Sequence, residues 1–236
     1  MKHTPFRFKQ FTIHHDRSTM KVGTDGVLLG AWANINAAQS ILDIGTGSGL
    51  IALMLAQRST SSVKIDAVEL EAHASHEATE NVKHSPWSEK ITVHHTAIQQ
   101  FESALKYDMI ISNPPYFENS QKPPEAKRAI TRHTDTLSFE DLLRETVRLL
   151  NKKGKLNVIL PYKEGLNFIE RASQYQLTCN RQWTFHTRKE KPIERLLLEF
   201  SYHSKPIETG DIVLYEEEEN WSAEYKELTK EFYLKL

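Results

Sequence analysis

The chain has 236 residues, of which 39% are hydrophobic and 26% are charged, and its formal net charge is −1. This composition excludes a disordered or fibrous chain, and the near-zero charge means that any contact with nucleic acid must come from a local basic patch. The single cysteine, Cys179, excludes an internal disulfide framework and favours the cytoplasm, and no apolar run approaches the roughly 20 residues that a membrane-spanning helix needs.

Short apolar runs alternate with helical patterns after residue 40. The alternation predicts strands over 40–44, 63–68, 91–94, 108–112 and 155–160, and then a pair of strands over 177–185 and 193–202 that we expect to be antiparallel. Helices are predicted over 25–32, 50–57, 71–83, 139–150 and 164–175, and the tail contains a short strand-like run (212–215) and a helix (222–232). We therefore expect an α/β fold with a mostly parallel, seven-stranded sheet and helices on both faces. No linker is evident, so we predict one domain over 1–236, with 1–39 as an N-terminal extension.

A glycine-rich loop follows the first of these strands and opens a helix. It reads Asp43-Ile-Gly45-Thr46-Gly47-Ser-Gly49. Glycine suits such a turn because a side chain would block the turn and the approach of a ligand, and we expect free N–H groups to face that ligand. Position 50 is Leu, so the spacing is not the dinucleotide pattern G-x-G-x-x-G, and no Gly-Lys-Ser/Thr follows that would indicate a P-loop.

The second strand ends in Val68-Glu69-Leu70, where a carboxylate can accept hydrogen bonds from both hydroxyls of a ribose. Together with the loop, this pattern resembles the S-adenosylmethionine site of Rossmann-like methyltransferases. The resemblance implies this cofactor, with the loop beside its methionine part, Glu69 at its ribose and Leu70 as a further cofactor contact. A tight turn with a surface acid is the alternative. In that family an acid usually follows the third strand and contacts the adenine. Ala97 stands there in this chain, so backbone groups or a neighbour must recognise the adenine.

The fourth strand ends in Asn113-Pro114-Pro115-Tyr116, at the edge where open α/β sheets bind ligands. This tetrapeptide resembles the motif of methyltransferases that act on amino nitrogens. An adenine N6 amine is a poor nucleophile because its lone pair is delocalised, and two acceptors, the Asn113 side chain and the Pro114 carbonyl, favour a localised lone pair. The prolines hold these acceptors in place, and Tyr116 can stack on the base. We predict a catalytic role for all four residues and, in addition, a cofactor contact from Asn113; the alternative is a strand that ends in a Pro-Pro turn.

An N-terminal block is more specific than either motif. The segments Phe8-Lys-Gln-Phe11, His15-Asp-Arg17 and Met20-Lys-Val-Gly-Thr-Asp-Gly26 resemble the start of the bacterial tRNA(Val) adenine N6-methyltransferase family, and the similarity extends over nearly the whole chain. The resemblance implies methylation of adenine 37, which is 3′ to the anticodon, in one valine tRNA. It also implies that the extension 1–39 folds over the cofactor. We therefore expect the following residues near the methionine end of the cofactor: Lys21, Gly23, Thr24 and Asp25.

Basic residues near the expected catalytic edge are candidates for contact with the anticodon loop. We predict RNA contacts from Lys122, Lys127, Arg128, Arg132, Arg188 and Lys189. The alternative is a solvated surface. The His-His pairs at 14–15 and 94–95 occur without a Cys cluster or an H-E-x-x-H motif, so we predict no metal site, and no obligate protein partner is evident.

Other substrates remain open at this point. A protein glutamine methyltransferase uses the same tetrapeptide, but it typically carries a separate helical recognition domain before the glycine strand. A DNA adenine methyltransferase is expected to add a target-recognition region, and neither addition is visible here. An rRNA base and a nucleotide-binding module without catalysis are further alternatives. A nicotinamide oxidoreductase is disfavoured by Leu50.

Overall fold

The computed structural model describes residues 4–16, 21–115 and 137–235. At the N-terminus, β1 (Phe6–Arg7) and β2 (Thr12–Ile13) form a short antiparallel pair. Helix α1 (Thr24–Trp32) follows and is almost entirely buried. Both α1 and the short pair precede the first strand of the main sheet.

The main sheet contains eight strands among the described residues. These are β3 (Ser40–Ile44), β4 (Lys64–Glu69), β5 (Ile91–His95), β6 (Tyr107–Ser112), β7 (Leu150–Pro161), β8 (Thr178–Arg188), β9 (Arg195–Ser201) and β10 (Glu208–Tyr215). Their spatial order is β10-β8-β9-β7-β6-β3-β4-β5. Strand β9 is antiparallel to both of its neighbours, and every other pairing in the sheet is parallel. The predicted fold class and the antiparallel pair are confirmed, but the predicted count of seven strands is wrong.

The eighth strand is the strand-like run of the tail, which is longer than predicted and joins the sheet beside β8. Gly210 of β10 lies opposite Trp183 of β8. A Cβ atom at Gly210 would come within 2.4 Å of the Trp183 ring, so the indole lies directly against the glycine backbone. The missing side chain allows the two strands to pair around a large aromatic residue.

The remaining helices are α2 (Leu50–Arg58), α3 (Ala72–Lys83), α4 (Phe139–Leu149), α5 (Tyr162–Gln174) and α6 (Ala223–Thr229). The predicted positions agree with these bounds to within a few residues. One boundary is wrong: β7 begins at Leu150, five residues before the predicted strand, because the chain passes directly from α4 into the sheet. None of the helices in the described ranges is long and apolar enough to cross a membrane.

The sheet has a hydrophobic core on each face. Ile41 and Leu42 are consecutive in β3 but belong to different cores, as expected from the alternation of side chains along a strand. One core includes Leu28 of α1 and Leu53 of α2, whereas the other includes Leu142 of α4 and Phe168 of α5. Helices therefore cover both faces, and the parallel strands bring their carboxyl ends to a single edge.

Candidate active site

A cleft of about 370 Å³ opens at this carboxyl edge. Three parts of the chain line it. The N-terminal segment contributes Lys21, Gly23, Thr24, Asp25 and Gly26; the glycine loop and the start of α2 contribute Gly45, Thr46, Gly47, Ser48, Leu50 and Ile51. Asn113 and a wall from β8–β10, made of Phe185, Thr187, Glu194, Arg195 and Leu214, complete it. The cleft thus brings together eight predicted site residues: Lys21, Gly23, Thr24, Asp25, Gly45, Thr46, Gly47 and Asn113.

The shape of the loop depends on glycine at three positions. Gly45, Gly47 and Gly49 have φ angles of 73°, 57° and 83°, in the left-handed region that side chains disfavour. Gly49 is the N-cap of α2 and does not line the cleft. The three conformations leave a wall with little side-chain bulk next to the cleft.

Four N–H groups of the loop already have acceptors within the chain, which corrects the expectation from the sequence for these four. Those of Gly45 and Thr46 donate to the Val68 carbonyl, at 2.9 and 3.1 Å, and that of Gly49 donates to the Thr46 carbonyl at 2.9 Å. The N–H of Gly47 donates to Oε2 of Glu69 at 2.8 Å. These hydrogen bonds hold the loop in its conformation. The expectation was wrong because a sequence motif identifies the residues of a loop but not their hydrogen-bond partners.

Glu69, at the end of β4, is fixed by two backbone donors. In addition to Gly47, the N–H of Glu71 donates to Oε1 at 2.9 Å. Each carboxylate oxygen has more than one lone pair, so both can still accept a ribose hydroxyl. Glu69 at the end of β4, the exposed Leu70 after it and the half-buried Ala97 after β5 are at the same edge as the loop. None of the three lines the cleft.

Asp43 lies at the base of the loop and is fully buried. Burial raises the pKa of its carboxyl group to about 7, although a hydrogen bond from the Thr46 hydroxyl, 2.6 Å from Oδ2, acts in the opposite direction. Asp43 also does not line the cleft. It is placed to hold Thr46, and a direct contact with a cofactor stays a prediction.

The segment after β6 places an acceptor beside the loop. The Ser112 hydroxyl donates to the Ile44 carbonyl at 2.7 Å and thereby ties the end of β6 to the end of β3. Asn113 follows and lines the cleft; Pro114 is buried and Pro115 is half-buried. Neither proline has an N–H group. The predicted Tyr116 lies outside the described residues.

Sequence reasoning missed an ion pair between two residues that line the cleft. Nε of Arg195, at the start of β9, is 2.8 Å from Oδ2 of Asp25 in the first turn of α1. The two residues are 170 positions apart, and no local pattern indicates their contact. Phe185 and Leu214 give no signal either, because they resemble ordinary core residues of strands.

Of the predicted RNA-contact residues, only two can be placed. Arg188 ends β8, its guanidinium lies 5.4 Å from the centre of the Tyr215 ring, and it donates to the Glu218 carbonyl. Lys189 is exposed in the turn that follows, close in sequence to the cleft residue Thr187. Lys122, Lys127, Arg128 and Arg132 lie outside the described residues.

The histidine pairs have partners of their own. Nε2 of His94 is 2.6 Å from Oδ1 of Asp66, and Nδ1 of His15 accepts a hydrogen bond from the N–H of Val22 at 3.0 Å. Across the described ranges, no three His, Cys, Asp or Glu side chains converge in a group that could hold a metal ion.

Comparisons with known proteins give consistent results. The family model of the methyltransferase small domain matches residues 22–182. The chain is 47% identical, over 98% of both chains, to the tRNA1(Val) (adenine(37)-N6)-methyltransferase of Trichodesmium erythraeum, and 44% identical, again over 98% of both, to that of Parabacteroides distasonis. Among solved structures, a protein described as a predicted O-methyltransferase, from Agrobacterium tumefaciens, has a TM-score of 0.68 at 17% identity, covering 88% of this chain and 96% of its own. The glycopeptide N-methyltransferase MtfA, complexed with S-adenosylmethionine, has a TM-score of 0.57 at 10% identity, covering 80% and 98%. These two structural similarities show the fold.

Proposed function

The chain belongs to the tRNA1(Val) (adenine(37)-N6)-methyltransferase family, and on this premise we propose that it transfers the methyl group of S-adenosylmethionine to N6 of adenine 37 in tRNA1(Val). The observation that carries the proposal is the position of Asn113. It lines the same cleft as Gly45, Thr46 and Gly47, so the predicted acceptor for the amine and the predicted cofactor loop face one space.

The residues at this edge fit the cofactor. The glycine loop gives a wall with few side chains, and Lys21, Gly23 and Thr24 form the N-terminal rim of the cleft, where we place the methionine part. The carboxylate of Glu69, held by two backbone N–H groups, is available to the ribose hydroxyls. Adenine recognition then falls to the backbone near Ala97. When bound, S-adenosylmethionine supplies an electrophilic methyl group.

Asn113 and Pro114 then prepare the amine. The side-chain oxygen of Asn113 and the carbonyl of Pro114 accept hydrogen bonds from the two N–H groups of adenine N6, which favours a localised lone pair on nitrogen. Nitrogen would form the new bond to the methyl carbon as the bond from carbon to sulfur breaks, which leaves S-adenosylhomocysteine. The alkylated nitrogen, which is more acidic than the original amine, would then lose its proton to water. Catalysis in this scheme is mostly positioning, with no strong base before attack.

The proposal extends to the organisation of the chain. We propose that 1–236 acts as one methyltransferase domain, with 1–39 lying over the cofactor. The anticodon loop is then the recognised part of the substrate, because an unstacked loop base can reach the cleft without disruption of a duplex. We place the reaction in the cytoplasm, where tRNA is modified.

Transfer of a labelled methyl group tests this function. The chain is incubated with methyl-labelled S-adenosylmethionine and tRNA that lacks endogenous modification, and the nucleosides are then analysed. A matched substrate is tRNA1(Val) with guanine at position 37, which has no N6 amine. We expect label in N6-methyladenosine of the natural tRNA and none in the matched substrate. Label that appears only in rRNA, DNA or protein would contradict the substrate, and no transfer to any acceptor would contradict the activity.

A further inference from the structure

Asn81 is a buried polar residue outside the predicted site. It lies near the end of α3, and only 2% of it is exposed. Its amide makes three hydrogen bonds. Oδ1 accepts from the N–H of His14 at 2.9 Å, and Nδ2 donates to the carbonyls of His14 and Ser48, at 2.8 and 2.9 Å. One side chain therefore contacts the backbone of two segments that are 34 positions apart in the sequence.

Both segments lead to the cleft. Ser48 belongs to the glycine loop and lines the cleft itself. On the other side, His15 accepts a hydrogen bond from the N–H of Val22 at Nδ1, and its carbonyl accepts from Nζ of Lys21, at 3.0 and 2.6 Å. Lys21 lines the cleft as well. The contacts of Asn81 thus connect the loop wall to the N-terminal rim through His14 and His15.

We propose that Asn81 is a positioning residue that sets the affinity for the methionine part of the cofactor by fixing the glycine loop and the N-terminal rim relative to each other. This inference rests on the proposed function, because it takes the cleft as the cofactor site. Asn81 itself does not line the cleft and acts through Ser48 and His14.

The chemistry of the site requires an amide. The arrangement needs one acceptor for an N–H group and two donors for carbonyls, and only Asn or Gln supplies both from one planar group. An aspartate would bring a carboxylate oxygen to within hydrogen-bond distance of two carbonyl oxygens, where the contact is repulsive. An alanine would leave the backbone groups of His14 and the carbonyl of Ser48 without this partner.

The test compares Asn81→Asp with a matched change at Asn180. Asn180 is also buried, and its amide donates to the Ser201 hydroxyl and the His203 carbonyl and accepts from the N–H of Lys205. It lies at the beginning of β8, whereas the β8 residues of the cleft are at that strand's other end. Calorimetry would give the Kd of S-adenosylmethionine and of 5′-methylthioadenosine, which lacks the amino-acid part, and steady-state kinetics would give KM and kcat.

We expect Asn81→Asp to raise the Kd and KM of S-adenosylmethionine about 10-fold or more, as for the loss of one or two buried hydrogen bonds. The Kd of 5′-methylthioadenosine and the kcat at saturating cofactor are expected to stay within about threefold, because the nucleoside contacts and Asn113 are not altered. Asn180→Asp is expected to lower the Tm and leave both Kd values within about twofold.

Several results would overturn the inference. Unchanged affinity of Asn81→Asp for S-adenosylmethionine is one, and an equal loss for both ligands is another, since it would indicate general destabilisation. If Asn81→Asp does not fold, His15→Ala interrupts the same connection at a half-exposed residue, and it must show the same selective loss at smaller size. A wild-type chain that binds no S-adenosylmethionine would overturn both this inference and the proposed function. Binding without RNA methylation would overturn the function alone.

Discussion

The glycine loop after β3 and the proline segment after β6 (residues 113–115) both contribute to one cleft, but their backbone N–H groups differ. In the loop, the N–H groups of Gly45, Thr46 and Gly47 are used internally, and the carboxylate of Glu69 takes part. After β6, Pro114 and Pro115 have no N–H groups at all.

The difference separates two tasks. Satisfied donors give the loop a fixed shape, which suits the binding of a cofactor by close fit. Pro114 and Pro115 offer no N–H donors of their own to the carbonyls after β6, which suits the acceptance of hydrogen bonds from an amine. The hydrogen bond from Ser112 to the Ile44 carbonyl keeps the two parts in register. The comparison therefore predicts that cofactor affinity and the rate of methyl transfer are sensitive to different substitutions.

The largest effect is expected on stability, at the base of the loop. Burial raises the pKa of Asp43 from 3.8 to about 7, so between these pH values the folded chain binds more protons than the unfolded chain. The free energy of unfolding therefore falls as pH rises through this window, by up to about 4 kcal/mol. An amide at this position would not titrate, so Asp43→Asn is expected to become more stable relative to wild type by a similar amount from pH 4 to pH 8.

Urea unfolding at several pH values measures this trend. Glu102→Gln, at an exposed carboxylate, is the control and is expected to give a curve parallel to that of wild type. If the curves of Asp43→Asn and wild type are also parallel, the burial of a carboxylate does not govern the stability of the loop.

The next largest effect is expected on the rate of methyl transfer, at the proposed amine acceptor Asn113. Asn113→Ala removes one of the two acceptors for the amine, and we expect the single-turnover rate to fall about 100-fold, as for the loss of one well-placed hydrogen-bonding group. The Kd of S-adenosylmethionine is expected to change by less than about fivefold. Asn113→Asp keeps an acceptor oxygen and should retain more activity than Asn113→Ala. A rate for Asn113→Ala within threefold of wild type would show that the amine is not activated here.

Substitution of Glu69 should give the opposite pattern, with a larger effect on cofactor affinity than on rate. Glu69→Ala removes the proposed acceptor for the ribose hydroxyls and the partner of the Gly47 N–H. Loss of hydrogen bonds to a charged group costs about 1.5–3 kcal/mol, so we expect the Kd of S-adenosylmethionine to rise roughly 10- to 100-fold, as measured by calorimetry. Glu69→Gln keeps one acceptor oxygen, so its Kd for S-adenosylmethionine should lie between those of wild type and Glu69→Ala. Wild-type affinity in Glu69→Ala would disprove the ribose role.

The smallest effect is expected at the RNA surface. Arg188→Ala and Lys189→Ala should each weaken tRNA binding a few-fold and reduce the slope of log Kd against log salt by about one, if each side chain contacts a phosphate. Lys83→Ala, at an exposed lysine of α3, is the control. An unchanged slope in both variants would show that the turn between β8 and β9 does not contact the RNA.

The strands of the sheet could be predicted because their signal is local. Three of the five residues in the run 40–44 are apolar, and the run is the strand β3 that the structure shows. The pairing of β10 with β8 has no local signal. It depends on Trp183 lying against Gly210, and these two residues become neighbours only once the register of the strands is known.

The candidate site divides in the same way. The glycine loop, Glu69 and Asn113 are short motifs, so sequence reasoning could name them. The wall from β8–β10 and the pair of Asp25 and Arg195 depend on contacts between distant segments. The N–H groups of the loop show a further limit of sequence-based prediction. The motif identifies the residues of the turn, but the acceptors of their hydrogen bonds depend on the folded structure.

A double-mutant cycle over Glu69→Ala and Asn113→Ala tests the separation of tasks most directly. The Kd of S-adenosylmethionine and the single-turnover rate at saturating cofactor would be measured for wild type, both single variants and the double variant. We predict that the loss of affinity follows Glu69 and the loss of rate follows Asn113, with the free energies adding to within about 0.5 kcal/mol. A coupling well above this value, or a rate loss that follows Glu69 at saturating cofactor, would contradict the account.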